Sequence, residues 1–294
     1  NEQIKNTAEN EKEPLQNQLN QLDRDFDNFF KKEMESDPKS MYHVFLKAVE
    51  RFDIPEPPFD KTTASYDSLA WFYTYNYRRD HFLDGIDFND DRILNTPLFK
   101  PKLDNYFNKI LIQAPDSIVP EALKYLRLAE NTTSMYQYLS QFLINNSAQS
   151  KIMGMDAVFV AVAEEVYLSG KATWTDSATY AKIREEVFLT KPNLIGKKAP
   201  EMFIESITGE QVSLHQSQAR YTVLLFWEPN CGHCKKEVPA VYNEVFEPFM
   251  KHDVQVFAVC IGDNKEEWTQ FVDEHELVGW IHAWDPSNKS GFRY

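Results

Sequence analysis

Apolar residues recur at helical spacing over the first two-thirds of the chain. Leu15, Leu19, Leu22, Phe26, Phe29 and Phe30 place one apolar stripe on a long helix after a polar start over residues 1–14. That stripe is expected either to pack on its own domain or to pair as a coiled-coil arm, since positions 15, 22 and 29 are seven apart. Three prolines within residues 54–58 put a loop there. Aromatics crowd over residues 66–77 (Tyr66, Trp71, Phe72, Tyr73, Tyr75, Tyr77) and read as a packed helix with a half-exposed rim. Asp84, Asp87, Asp90 and Asp91 lack the ligand spacing of a calcium loop and read as a solvated turn and helix cap. Further stripes follow: Ala122, Leu123, Leu126 and Ala129, with Pro120 in the first turn; Met135, Tyr138, Leu139, Phe142 and Leu143, with Ser134 as cap; and Ala157, Val160, Ala161, Ala163 and Val166, stopping near Gly170. A last helix is expected over about 176–189. Short helices joined by short loops are antiparallel neighbours, hence a bundle or an array of helical hairpins.

The period changes after residues 191–200, where two prolines and a glycine mark a connection. Residues 202–207 and 211–214 flank a Thr208-Gly209-Glu210 turn and predict a β-hairpin. Residues 221–227 and 254–261 are apolar, β-branched runs of the kind buried on both faces of a sheet. Residues 235–251 between them predict a helix, which makes the two strands parallel with a right-handed crossover. Another helix is predicted over 266–275. The fold class is α followed by α/β, with an all-helical domain over 1–190 and an α/β domain over 191–294.

Charge narrows the partners. With 31 basic and 45 acidic residues the net charge is −14, which repels phosphate backbones and anionic membrane surfaces. No nucleic-acid partner is expected. No apolar run reaches the length of a bilayer span, and the start at Asn1 reads as a processed or trimmed terminus. Membrane anchoring is therefore expected only through a missing N-terminus.

Two of the three cysteines stand as Cys231-Gly232-His233-Cys234, just after a buried strand and opening a helix. A helix start offers unpaired N–H groups and the positive end of the dipole, and both stabilise a thiolate. Cys231 is therefore the expected nucleophile and Cys234, one turn deeper, the resolving thiol. Gly232 and His233 tune the pair. A positive charge on His233 would favour the reduced form, setting a potential of roughly −270 to −180 mV. A zinc site would need a second ligand pair that the sequence lacks, and a structural disulfide closing so short a loop would gain little. No metal or cofactor is expected. Cys260, inside the second strand run, is expected to be a buried, inert thiol.

Gly196, Ala199-Pro200, Phe203, Gly209, Leu214, Val223-Leu224-Leu225-Phe226-Trp227 and the Cys231–Cys234 motif resemble the TlpA-like thiol–disulfide oxidoreductases, thioredoxin-fold proteins of the bacterial cell envelope. Residues 88–97 and 154–159 give the helical part a similarity to domains preceding the thioredoxin unit in envelope proteins of Gram-negative gut bacteria. The resemblance implies a periplasmic or envelope location, protein disulfide or dithiol substrates and a redox partner protein. It also implies supporting roles for Trp227, four before the nucleophile, and for the helix-kinking Pro239. Leu225, six before the nucleophile, stands where thioredoxin keeps a buried aspartate, leaving Glu228, water or another group to accept the Cys234 proton. Asn230 replaces a tryptophan before the first cysteine. Glu228 also occupies the position where a peroxiredoxin requires threonine, which argues against peroxide reduction. The sequence is expected to stop before the family's cis-proline loop and last hairpin, leaving a strand edge beside Val223, Leu225 and Val256 uncovered. The rival reading is a binding module, in which the helical domain holds a partner and redox chemistry is secondary.

Overall fold

A computed structural model describes residues 9–50 and 52–291. Part of the polar start, residues 1–8, and the last three positions of the expected chain end lie outside the described residues. The chain divides into two compact units, Asn1–Ser177 and Ala178–Tyr294.

The first unit is helical. Helix α1 (Glu9–Ser36) carries the expected stripe, but Leu22 and Phe29 are more than half exposed and no described position of the helix is buried. The expected packing of that stripe onto its domain is therefore corrected. Helices α2 (Met41–Val49) and α3 (Tyr66–His81) follow, and α3 buries none of its residues. On α3, Trp71 stacks on Tyr75 with ring centroids 5.4 Å apart. The acidic loop ends as a cap, with Asp90 accepting the Arg92 N–H and pairing with its guanidinium. Helix α4 (Phe99–Asn105) leads through a wider π-type turn, Tyr106–Ile110. Helices α5 (Pro115–Ala129), α6 (Thr133–Ala148) and α7 (Asp156–Ala163) pack on one another. Leu126, Met135, Leu139 and Val162 are fully buried among them. Two caps differ from expectation. Pro115 opens α5 and Pro120 lies inside it; Thr132 precedes α6, with no side-chain cap. Helix α8 (Ser177–Thr190) leads into the second unit.

The second unit is built on a five-stranded sheet of order β2-β1-β5-β4-β3. Strands β1 (Phe203–Ser206) and β2 (Gln211–Ser213) form the expected hairpin around Gly209, whose φ of +83° suits a residue without a side chain. Strands β3 (Tyr221–Trp227) and β4 (Val254–Cys260) are parallel and paired along their whole length. Alternation along β4 builds two cores. Val256, Ala258 and Cys260 face the side occupied by Trp227, Trp268 and Phe271, while Phe257 and Val259 face Met202 and Ile204.

Three expectations change here. Strand β5 (Ile281–Trp284), unanticipated, lies between β4 and β1, parallel to one and antiparallel to the other. It covers one edge of β4 and β3 covers the other, so Val256 does not border an open edge; among the described residues the sheet's edges are β2 and β3, and β3 carries Val223 and Leu225. Of the two apolar runs only β4 is deeply buried; β3 reaches burial at Trp227. The single helix expected over 235–251 is a series: α9 (Cys234–Ala240), a π-type stretch Val241–Phe246, and short turns ending at Asp253, where φ is +62°. Pro239 has no N–H for the Lys235 carbonyl, which loosens the ladder where the winding changes. Helix α10 (Lys265–Glu274) completes the unit.

Candidate active site

Strand β3 ends at Trp227, whose indole is buried and tilts against Phe271 at 4.9 Å between centroids. The chain then turns through Glu228, Pro229 and Asn230, and the Cys231 N–H closes the turn on the Glu228 carbonyl at 3.3 Å. The Cys231 carbonyl accepts the Lys235 N–H at 3.1 Å, so helical winding begins at the first cysteine. Its side chain thus sits where a helix cap sits, in reach of the free N–H groups of the first turn.

That position decides the charge on sulfur. The Cys234 N–H, the Cys234 thiol and the His233 N–H all donate to the Cys231 sulfur and hold its pKa below the ordinary thiol value, against opposing contributions from burial and from the Glu228 carboxylate. Cys234 goes the other way. Burial raises it first, the Glu228 N–H opposes that, and the bond to Cys231 and the charges of Cys231 and Glu228 raise it further. The two half-buried thiols of one short motif are therefore pushed in opposite directions. Cys260 is fully buried and its pKa is pushed up to about 11, chiefly by burial. Its sulfur lies close enough to Glu228 and Cys234 for their charges to add to that rise.

The supporting residues fall around this turn. His233 is exposed and serves Cys231 through its backbone N–H. Gly232 is exposed, with nothing within 4 Å of where a Cβ would stand, so neither crowding nor backbone strain demands glycine there. Glu228 is exposed on the rim, with its charge reaching all three thiols. Pro239 lies further along the helix that Cys234 opens, half-buried.

Sequence reasoning missed three contributors, Glu267, Gly262 and Trp284. Asn230 donates its side-chain amide to Glu267 on α10, tying the turn to that helix. Gly262 passes so close to the turn that a Cβ would meet the Pro229 ring at 3.3 Å and the Cys260 sulfur at 3.6 Å. Its carbonyl accepts the Trp284 indole N–H at 2.9 Å. A glycine two residues after a buried strand was the available signal for such a close approach.

A parallel strand that delivers a Cys-x-x-Cys turn onto a helix start, with a second parallel strand beside it and an N-terminal hairpin closing the far edge of the sheet, defines a thioredoxin-like domain. Residues 195–294 match the AhpC/TSA family, and this part of the chain is an AhpC/TSA-type thioredoxin-like domain preceded by a helical unit. Over 84 residues, 28% of this chain and 46% of the relative, it is 31% identical to the thiol–disulfide oxidoreductase ResA of Bacillus subtilis. The ResA of Bacillus cereus is 26% identical over 83 residues, 28% of this chain and 47% of the relative. The chain spans about half the length of the curated relatives it matches. Among solved structures it is similar to a thioredoxin-like protein from Bacteroides caccae, with a TM-score of 0.55 and 16% identity, covering 84% of this chain and 87% of that one. That likeness speaks to the fold, helical part included. A domain of a possible thiol–disulfide isomerase from Cytophaga hutchinsonii is 36% identical, covering 34% of this chain and 67% of that one, with a TM-score of 0.31.

Proposed function

We propose that the chain is a thiol–disulfide oxidoreductase that exchanges disulfides with protein substrates in a bacterial envelope through Cys231 and Cys234. The observation carrying this reading is the opposite displacement of the two thiols: N–H donors lower Cys231, and burial raises Cys234. A nucleophile must be a thiolate when substrate arrives, and a resolving thiol must wait.

The Cys231 thiolate attacks one sulfur of the substrate disulfide; that S–S bond breaks, and the other substrate sulfur leaves as a thiolate and takes a proton. Cys234 then gives up its proton and attacks the Cys231 sulfur, releasing the second substrate thiolate. Two electrons pass from the Cys231–Cys234 pair to the substrate, and the reverse sequence oxidises a dithiol. Glu228, whose field reaches both thiols, is assigned the Cys234 proton. A redox partner protein would reset the pair between turnovers. The envelope location rests on the resemblance to TlpA-like proteins and on the bacterial origin of the relatives. No described helix is long and apolar enough to cross a membrane.

Reduction of a self-quenched fluorescent glutathione disulfide tests the activity. Cys231→Ser should fall to the uncatalysed rate. Cys234→Ser should accumulate a covalent adduct on Cys231, seen by mass spectrometry. Wild-type turnover by Cys231→Ser would overturn the proposal.

A further inference from the structure

Helix α6 is out of character for this chain. Charged residues make up 26% of the sequence, yet Thr133–Ala148 contains no Asp, Glu, Lys or Arg. Its outward face is instead a row of amides: Gln141 and Asn145 are exposed, and Gln149, just past the last turn, continues the row. These positions share one helix face and border a cleft of about 720 Å³. The opposite wall comes from Lys100 and Asp104 of α4 and from Asn108 in the turn after it, again four apart. Lys100 and Asp104 pair with each other at 2.6 Å, leaving the cleft little net field from that wall.

We propose that this cleft binds an extended, uncharged stretch of polypeptide through its backbone. Carboxamide side chains offer the same donor and acceptor as a peptide group, and the site already makes such a bond. Asn108 and Asn146 exchange reciprocal amide hydrogen bonds of 3.1 and 2.9 Å between the two walls. The spacing fits as well. Residues four apart on a helix rise by about 6 Å, and alternate residues of an extended chain repeat every ~6.6 Å. Gln141, Asn145 and Gln149 therefore keep step with every second peptide group of a strand laid along α6. None of the three amide side chains makes a hydrogen bond to another described residue, so each is free to bond a ligand. Between them Tyr138 and Phe142 are half-buried, tilted against Phe99 at 5.4 Å and Phe107 at 5.9 Å, and form apolar rests for small side chains. Helix α6 offers no charge to pair with an acidic or basic segment, and Lys151, beyond the end of the amide row, is the remaining charged residue of the lining.

This inference does not rest on the redox reading, because the cleft lies wholly within the helical unit. Its test is a fluorescence-anisotropy titration of the whole chain. The probe is a labelled, end-capped peptide of about ten residues alternating serine and valine, fully extended at ~3.3 Å per residue. Wild type should bind saturably, and Cys231→Ser should bind equally well. The triple variant Gln141→Ala, Asn145→Ala, Gln149→Ala should bind at least about tenfold more weakly while keeping its helical circular dichroism, since alanine is the better helix former. Should the triple variant lose that signal, the near-isosteric Asn145→Asp carries the test and should also weaken binding. Methylating alternate backbone nitrogens of the peptide should abolish binding, and an excess of maltohexaose should not displace it. No saturable binding, full affinity in the folded variants, full affinity of the methylated peptide, or displacement by the sugar would each overturn the proposal.

Discussion

Three sulfurs in one unit meet three different environments, set first by backbone N–H placement and burial, with the charge of Glu228 adding a smaller contribution at each. Cys231 lies over the N–H groups of a starting helix turn, Cys234 is folded beneath it, and Cys260 is sealed inside β4. A second buried titratable group obeys the same rule. The His282 Nε2 hydrogen donates to the Leu277 carbonyl at 2.8 Å, while Nδ1 is buried and has no hydrogen-bond partner among the described residues. Burial holds its pKa below the ordinary histidine value, with the Leu277 bond pulling weakly the other way. As pH falls below about 6.5 the unfolded chain takes up this proton before the folded one does, so stability present above that pH is progressively lost on acidification. His282→Gln removes the titration, with an amide of similar reach in place of the ring. Hydrogen-exchange protection of the β4 amides should therefore fall from pH 7.5 to about 5.5 more steeply in wild type than in the variant. Equal losses in the two would contradict the assignment.

At the scale of elements, the hairpin, the two long strands and α10 were legible because alternation, β-branched runs and turn residues agreed with one another. Strand β5 was not. Four residues, Ile-His-Ala-Trp, carry no readable period, and the strand exists because β4 and β1 offer edges on either side. The break in the helix after Cys234 was half legible: Pro239 announced a disturbance, but not that the chain would continue as a π-type stretch. The stripe on α1 misled, since periodicity reports that a face is apolar and not that anything covers it. Helix α10 has a cap that can be tested. The Asn264 side chain accepts the N–H groups of Glu266 and Glu267 at 3.1 and 3.2 Å. Asn264→Ala should cost about 1 kcal/mol, or roughly a fivefold loss of hydrogen-exchange protection across α10 where that helix opens with its unit. Asn264→Asp should lose little. Unchanged protection in the alanine variant would show that tertiary contacts of Trp268 and Phe271 alone hold the helix start.

At the scale of the whole molecule, the chain joins a helical unit with an amide-lined cleft to a thioredoxin-like unit with a dithiol turn. The dithiol was visible in the sequence because its chemistry is concentrated in four consecutive residues at a change of period. The cleft was not, because its walls, near residues 100–108 and 138–149, become neighbours only once the helices pack. The turn's supports divide the same way: Trp227 and Glu228 are adjacent to the motif, whereas Gly262, Glu267 and Trp284 reach it through the fold. On the proposed function, the fold makes Cys231 the reactive thiolate of the pair. Alkylation of the fully reduced protein by iodoacetamide across pH, resolved cysteine by cysteine by mass spectrometry, tests it most directly. Cys231 should react first, with an apparent pKa below the ~8.5 of a free thiol, Cys234 should follow only at higher pH, and Cys260 should stay unmodified until the protein unfolds. Labelling of Cys234 or Cys260 ahead of Cys231 at neutral pH would contradict the account.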